Sequence, residues 1–440
     1  MGTPDSSSVH SADKYSGVDT SRAEIVVSTV DHVVAFAGLL LLSGALQGVV
    51  ASGGASETTA AGDVRIQLMF APLYVYAVFA LALRPLRALR TVFAQPLLLL
   101  LAVLVVGSVL WSDVPGVTLR RGLAFVGTYL FGVFLAARFD FGRGIRILAA
   151  ALGAAAIASV VIVGLMPGWG IMTDLHVGAW RGGFWHKNTM GGAMALGVLA
   201  NVACSADSKR WRALWAGFAF LCFVLLLLTQ SRTAIVVVVS STLVYLAARR
   251  ALSLGLYLLV PALVIGALTA TLLLGLLVRN YEVILLALGR DATLTGRTAL
   301  WALLVVAIST RPVLGFGYGA YWSAHSVQQS GVHLLTGWEM SHAHNGPIDV
   351  ALDIGLAGLC VLTLALLFAF ARRVRSSNRW EVATFLSVLA LIVLANMTES
   401  VLVRHNAMYF PMLIFLASAG AGRGKTAAHT SDVSGEDYLR

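Results

Sequence analysis

Apolar stretches about 20 residues long, enough to cross ~30 Å of hydrocarbon as helices, follow one another through most of this chain. They run approximately 32–51, 67–83, 96–112, 121–137, 145–165, 189–205, 212–228, 233–248, 253–278, 348–371, 380–396 and 407–422. In lipid, backbone polar groups must be satisfied within their own segment, so these runs predict helices. The expected fold class is all-α: a polytopic membrane protein with about 12 transmembrane helices. One long polar stretch, 279–347, breaks the series. Its piece "TALWALLVVAIST", 298–310, is too short to span and predicts a helix lying against the bundle or the interface. "RPVLGFGYGAYW", 311–322, rich in Gly and aromatics, predicts irregular structure. A loop this long without repeats is usually functional.

Charge orients the pattern. With the N-terminus cytoplasmic, most of the 31 basic residues fall in cytoplasmic segments, among them Arg84, Arg87 and Arg90, Arg138, Arg143 and Arg146, and Arg372, Arg373, Arg375 and Arg379. This alternation follows the positive-inside rule, so both termini are expected inside and the 279–347 loop outside. Residues 1–30 and 423–440 read as disordered cytoplasmic tails. The first of these is polar and lacks the basic-then-apolar order of a cleavable signal, so 32–51 is expected to be a retained span.

Composition agrees. The chain is 58% hydrophobic and 12% charged, with a mean hydropathy of +0.83, which excludes an ordinary soluble domain. Its net charge of +10 raises the question of nucleic acid. The arginines sit in short loops, however, with no finger, basic helix or aromatic-basic interleaving, so no nucleic-acid partner is expected. Cys204, Cys222 and Cys360 lie in or beside apolar runs without metal-like spacing and read as small core residues.

The polar groups that need explaining gather on the outer side. "SHAHNGPIDVALDIGLAG", 341–358, sets His342, His344 and Asn345 at the mouth of an apolar run that also holds Asp349 and Asp353. The two acids are one helical turn apart and share a face. Acids at such depth face a bundle interior or a wet cavity, where they orient a histidine, hold a sugar hydroxyl or act structurally. A neutral histidine suits the role of base toward a hydroxyl. His342, His344 and Asp349 also make a conceivable metal set, but the spacing is not HExxH and no third histidine is near, so no metal is expected. Gly355 and Gly358 read as structural, letting a neighbouring helix come close.

Arg181 lies in "GAWRGGFWHKNTMGG", 178–192, beside His186 and Lys187, and Arg232 lies in the tight turn "TQSRTA", 229–234. Guanidinium groups fixed at the membrane face match phosphate oxygens bidentately. An external arginine beside a helix end is otherwise a snorkelling anchor, and Arg65, Arg279 and Arg404 read as such. Arg290 and Arg297 in "ALGRDATLTGRTALW", 287–301, together with Arg311, are candidates for lining a sugar path.

These residues carry a resemblance. His344, Asn345, the nine residues 346–354, Gly355, Leu356, Ala357 and Gly358 match the signature of the bacterial O-antigen ligase and polysaccharide-polymerase superfamily. "WSDVPGVTLRR", 111–121, resembles an early Trp-Ser…Pro…Arg element of such proteins, and "GRDATLTGRTALW" resembles the exopolysaccharide-production branch, close to the succinoglycan-type polymerase. The similarity covers roughly 95–420, inside a transmembrane ligase/polymerase-like domain of 31–422. It implies a GT-C-type glycosyltransferase of the inner membrane, with a large periplasmic loop and a periplasmic active site. It further implies metal-independent, inverting transfer from a glycan on undecaprenyl pyrophosphate, with no cofactor. The acceptor is a lipid-linked repeat unit in a polymerase and a lipid A core sugar in a ligase. A copolymerase and a flippase often accompany such polymerases. His344 carries over as the essential histidine, and Arg181 and Arg232 as the pyrophosphate-binding arginines.

The 287–301 segment favours a polymerase, with a ligase as the alternative. A transporter of lipid-linked sugars ranks lower. Transporters show inverted repeats and central ion sites, whereas here the polar groups cluster at one membrane face.

Overall fold

The computed structural model describes residues 27–50, 64–173, 176–254, 297–323, 326–336, 340–376 and 378–420. Among these residues the structure is helical, with one isolated antiparallel bridge between Ile171 and Trp180. The predicted tails, the predicted span 253–278 and Arg290 lie outside the described residues.

Every predicted apolar run within the described residues falls on a helix. These are α1 (Val27–Leu42), α2 (Val64–Ala82), α3 (Pro85–Phe93), α4 (Pro96–Gly107), α5 (Pro115–Arg138), α6 (Phe141–Leu165), α7 (Lys187–Asp207), α8 (Arg212–Leu228) and α9 (Arg232–Leu254). After the loop come α10 (Arg297–Thr310), α11 (Val327–Thr336), α12 (Gly346–Arg373), α13 (Arg379–Thr398) and α14 (Tyr409–Ser418). Seven helices among the described residues are long and apolar enough to cross a membrane, or eight if the bent pair α3–α4 is one span. The chain is thus an all-α polytopic membrane protein.

The bend is an addition to the sequence reading. Prolines open both α3 and α4, because a proline at the first turn loses no helical hydrogen bond. The two segments, with the extension of α4 to Leu110, meet at 91°. Helix α3 leaves Leu86, Leu89 and Phe93 uncovered while carrying Arg87 and Arg90, the composition of a helix lying in the membrane interface.

At the centre is α14, apolar on every side and buried along its whole length. It packs on α5, α6, α12 and α13. Close approach needs small residues: a Cβ on Gly144 of α6 would sit 2.0 Å from the Phe415 ring. At one end of the bundle Asp31 pairs with Arg138, and Arg373 pairs with Glu381 at 3.1 Å while lying over the Phe141 ring. The opposite end carries the polar groups described next.

Within the long loop, 298–310 belongs to α10, which packs on α12 as expected of a short helix against the bundle. The 311–322 stretch is irregular, and α11 is a further helix that periodicity did not reveal. Leu300, Leu304, Phe316, Tyr321, Trp322, Val332, Ala343 and Leu352 close into a small second core beneath this loop.

The glycines of the signature do something other than admit a helix. Helix α12 is broken at Ile354 and Gly355, where Gly355 has φ +72°. The irregular strap 312–317 threads into the break. Leu356 N–H and Ala357 N–H donate to the Pro312 and Val313 carbonyls (2.8 and 3.2 Å), and Phe316 N–H and Gly317 N–H donate to those of Leu352 and Asp353 (2.7 and 3.0 Å). Backbone groups freed by the break are thereby satisfied, as burial demands. A Cβ on Gly355 would meet the Val313 carbonyl oxygen at 2.0 Å. Gly358 is overlain by its own helix's Ile354 side chain, 2.3 Å from where a Cβ would stand. The close neighbour is therefore a loop at Gly355 and Ile354 at Gly358, not a packed helix.

Candidate active site

A cavity of about 580 Å³ opens at the polar end of the bundle. Its walls come from the end of α1, the starts of α7, α9 and α14, the end of α13, and residues 340–344. His342, His344, Glu399, Arg404, His405 and Asn188 line it.

The local sequence fixes His344 tightly. Asn345 caps α12, its side chain accepting from Ile348 N–H at 3.2 Å, and Pro347 stands in the first turn. Asp349, a turn further on, accepts from Ala343 N–H through both oxygens (3.0 and 3.1 Å), from Trp322 Nε1–H (2.6 Å) and from the Ser400 hydroxyl. The Ala343 carbonyl accepts from Trp301 Nε1–H at 2.8 Å. The residue between the two histidines is thus held on both sides. His344 itself has φ +51°, a conformation that costs an ordinary side chain energy and persists where the surroundings over-determine it. Asp353, the second acid, accepts from Gly319 N–H at 2.9 Å and braces the loop.

Glu399, at the end of α13, is the residue the sequence reading missed. Its Oε2 lies 2.9 Å from His344 Nδ1 and 3.4 Å from His342 Nε2. Its Oε1 accepts from Asn188 Nδ2–H at 2.9 Å, and Asn188 Oδ1 accepts from the Ser231 hydroxyl at 3.0 Å. Burial pushes the Glu399 carboxyl up, but the hydrogen bonds and charge of His342 and His344 outweigh it and hold it below the usual carboxylate range. An ionised Glu399 can only accept, so His344 Nδ1 is the donor. In the neutral ring that leaves the lone pair on Nε2.

One face of the cavity is electropositive. Burial, then Arg121, Arg404 and Arg120, push His405 down to about 3, so it is neutral. Arg404 anchors its Nε–H on the Ser400 carbonyl at 2.8 Å. It is a cavity residue, where the sequence reading had made it an anchor.

The other candidates are distributed differently. Arg232 opens α9 with an exposed side chain, between Ser231 and Thr233, which both line the cavity. Arg181 does not line the cavity; its Nε–H donates to the Trp169 carbonyl at 2.6 Å and its guanidinium lies over the Trp169 ring. His186 lines the cavity and caps α7, accepting from Asn188 N–H at 3.2 Å. Lys187 is buried against the Gln230 carbonyl. Arg311 pairs with Asp113 at 2.6 Å, joining the 111–121 and 311–322 segments away from the cavity. Arg297 opens α10, and its side chain is not among those described.

A histidine backed by a carboxylate at the wall of a membrane-end cavity is a base-and-orienter arrangement in a polytopic helical protein. The family profile described as O-Antigen ligase matches residues 217–363, which include Arg232, His342, His344, Asn345, Gly355 and Gly358 but end before Glu399 and Arg404. The exopolysaccharide production protein ExoQ of Rhizobium meliloti is 28% identical over 286 residues, 62% of this chain and 64% of that relative. The match therefore spans just under two thirds of that relative's length. The chain is thus similar to the O-antigen ligase family over residues 217–363 and to an exopolysaccharide production protein over 286 residues.

Proposed function

We propose that this protein polymerises oligosaccharide units carried on undecaprenyl pyrophosphate by inverting glycosyl transfer that needs no metal, at the periplasmic face of the bacterial inner membrane. The observation that carries the reading is the His344–Glu399 contact inside the cavity. Both termini are cytoplasmic in this reading, with twelve spans and a periplasmic 279–347 loop.

The geometry supports the following chemistry. The acceptor hydroxyl attacks the anomeric carbon opposite the pyrophosphate, giving inversion. A new C–O bond forms, the bond to the phosphate oxygen breaks, and its electron pair leaves with the pyrophosphate. His344 Nε2 takes the hydroxyl proton, while Glu399 steadies the imidazolium that results. Arg404 in the wall neutralises the charge growing on the leaving group, joined by Arg232, which is exposed beside the cavity-lining Ser231 and Thr233. Pyrophosphate is already a good leaving group, so no second carboxylate is needed as acid. Arg181, committed to Trp169, has a tethering role. Similarity to an exopolysaccharide production protein supports an exopolysaccharide as the product, and the polymerase reading is preferred on that ground.

The test is reconstitution in nanodiscs with the host's lipid-linked repeat units. A ladder of longer lipid-linked glycans is expected. Transfer only after lipid A core is supplied would make the protein a ligase instead. No transfer to either acceptor would refute the reading.

A further inference from the structure

His342, His344 and Glu399 bring one ligand atom each to within 4.8 Å of one another. The sequence reading set Asp349 as a third ligand and dismissed the group. In the fold, Asp349 is spent on Ala343, Trp322 and Ser400, and Glu399 takes the third place from 55 positions beyond His344 in the chain. We infer that these three side chains form a binding site for a zinc-class divalent cation.

The distances fit. Bonds of about 2.0–2.2 Å to nitrogen and oxygen put tetrahedral ligands ~3.4 Å apart. Glu399 Oε2 stands 2.9 Å from His344 Nδ1 and 3.4 Å from His342 Nε2, so the cation enters by small side-chain movements. The fourth corner opens to the cavity, where a water completes the shell. Outer partners are in place as well. Ser341 Oγ lies 2.8 Å from His342 Nδ1, and Asn188 Nδ2–H holds Glu399 Oε1, leaving Nε2 and Oε2 as the ligand atoms. Two imidazoles with one carboxylate select zinc-class ions over Mg²⁺ or Ca²⁺, which take oxygen ligands in larger number.

The consequence rests on the proposed role of His344. Coordination through Nδ1 places the ring proton on Nε2, and the lone pair that would accept the acceptor's proton is gone. The cation therefore inhibits transfer rather than driving it, and a chelator restores it. Protons are conserved: on His344 the proton moves from Nδ1 to Nε2, and on His342 it rests on Nδ1 toward Ser341.

The experiment is a Co²⁺ titration of the full chain, freed of any histidine tag, in nanodiscs. Wild type is expected to take up one Co²⁺ per chain with the intense visible bands of a four-coordinate ion, displaced by Zn²⁺. Both His342→Gln and Glu399→Gln should lose the bands while eluting and melting as folded protein. Absence of saturable binding, or binding retained in His342→Gln, overturns the site. Zn²⁺ bound at these ligands without loss of transfer overturns the inhibition. Transfer by chelator-treated wild type compared with His344→Ala judges the base role separately, so the two ideas fail independently.

Discussion

His344 Nδ1 and Glu399 Oε2 lie 2.9 Å apart, one at the mouth of α12 and the other at the end of α13. The contact joins two helices across the cavity and fixes which ring nitrogen faces the chemistry. Glu399→Gln keeps the shape and can still accept a hydrogen bond, but it no longer stabilises an imidazolium. A loss of about 10²-fold in kcat is expected, with a smaller change in KM, measured by initial rates of glycan elongation.

The same carboxylate makes a pH-dependent contribution to stability. Its folded-state pKa is depressed, so the stabilisation is present above the ordinary glutamate value of about 4.3 and is lost as pH falls below it. Wild type should melt above Glu399→Gln at pH 7, and the two curves should converge as the medium is acidified through and below pH ~4.

Gly355→Ala is expected to destabilise the protein by about 2 kcal/mol or more. The substitution forces a side chain into φ +72° and onto the Val313 carbonyl oxygen. Gly107→Ala, where a Cβ meets nothing within 4 Å, is the control. Thermal melting in detergent reads both.

Asp349→Ala removes the acceptor for Ala343 N–H, Trp322 and Ser400 together. A cost of about 2–3 kcal/mol is expected, with transfer falling further than stability as the His342–His344 segment loosens. The melting temperature and the rate are measured on the same preparation.

Arg404→Ala should raise the concentration of free inorganic pyrophosphate needed for half-inhibition about 10-fold or more, the effect of one charge-assisted hydrogen bond. Arg404→Lys should recover only part of the affinity, because an ammonium lacks the planar fork. An unchanged inhibition curve in Arg404→Ala would remove this residue from the leaving-group site.

The helices were legible because lipid imposes one rule on every span: about 20 apolar residues with satisfied backbone. The α3–α4 bend escaped because its arginines read as a cytoplasmic break, although Leu86, Leu89 and Phe93 among them carry the spacing of an interfacial helix. One contiguous pattern singled out His344, which lines the cavity, together with the Asn345 cap and the Gly355 break that hold its helix. Glu399 was not, because its meaning comes from a partner on another helix. The signal that exposes it is the one applied to Asp349 and Asp353: an acid in an apolar setting needs a reason. The place of Arg404 in the cavity wall was not legible for the same cause, since an anchor and a cavity arginine look alike until the helices are packed.

The central claim is that His344 accepts the proton in glycosyl transfer. The most direct measurement is the elongation rate of His344→Ala against wild type in nanodiscs with native lipid-linked donor, each checked for equal melting and equal donor binding. The account predicts a fall in kcat of roughly 10²–10⁴-fold with donor affinity retained. An unchanged rate in folded, donor-binding His344→Ala would contradict it.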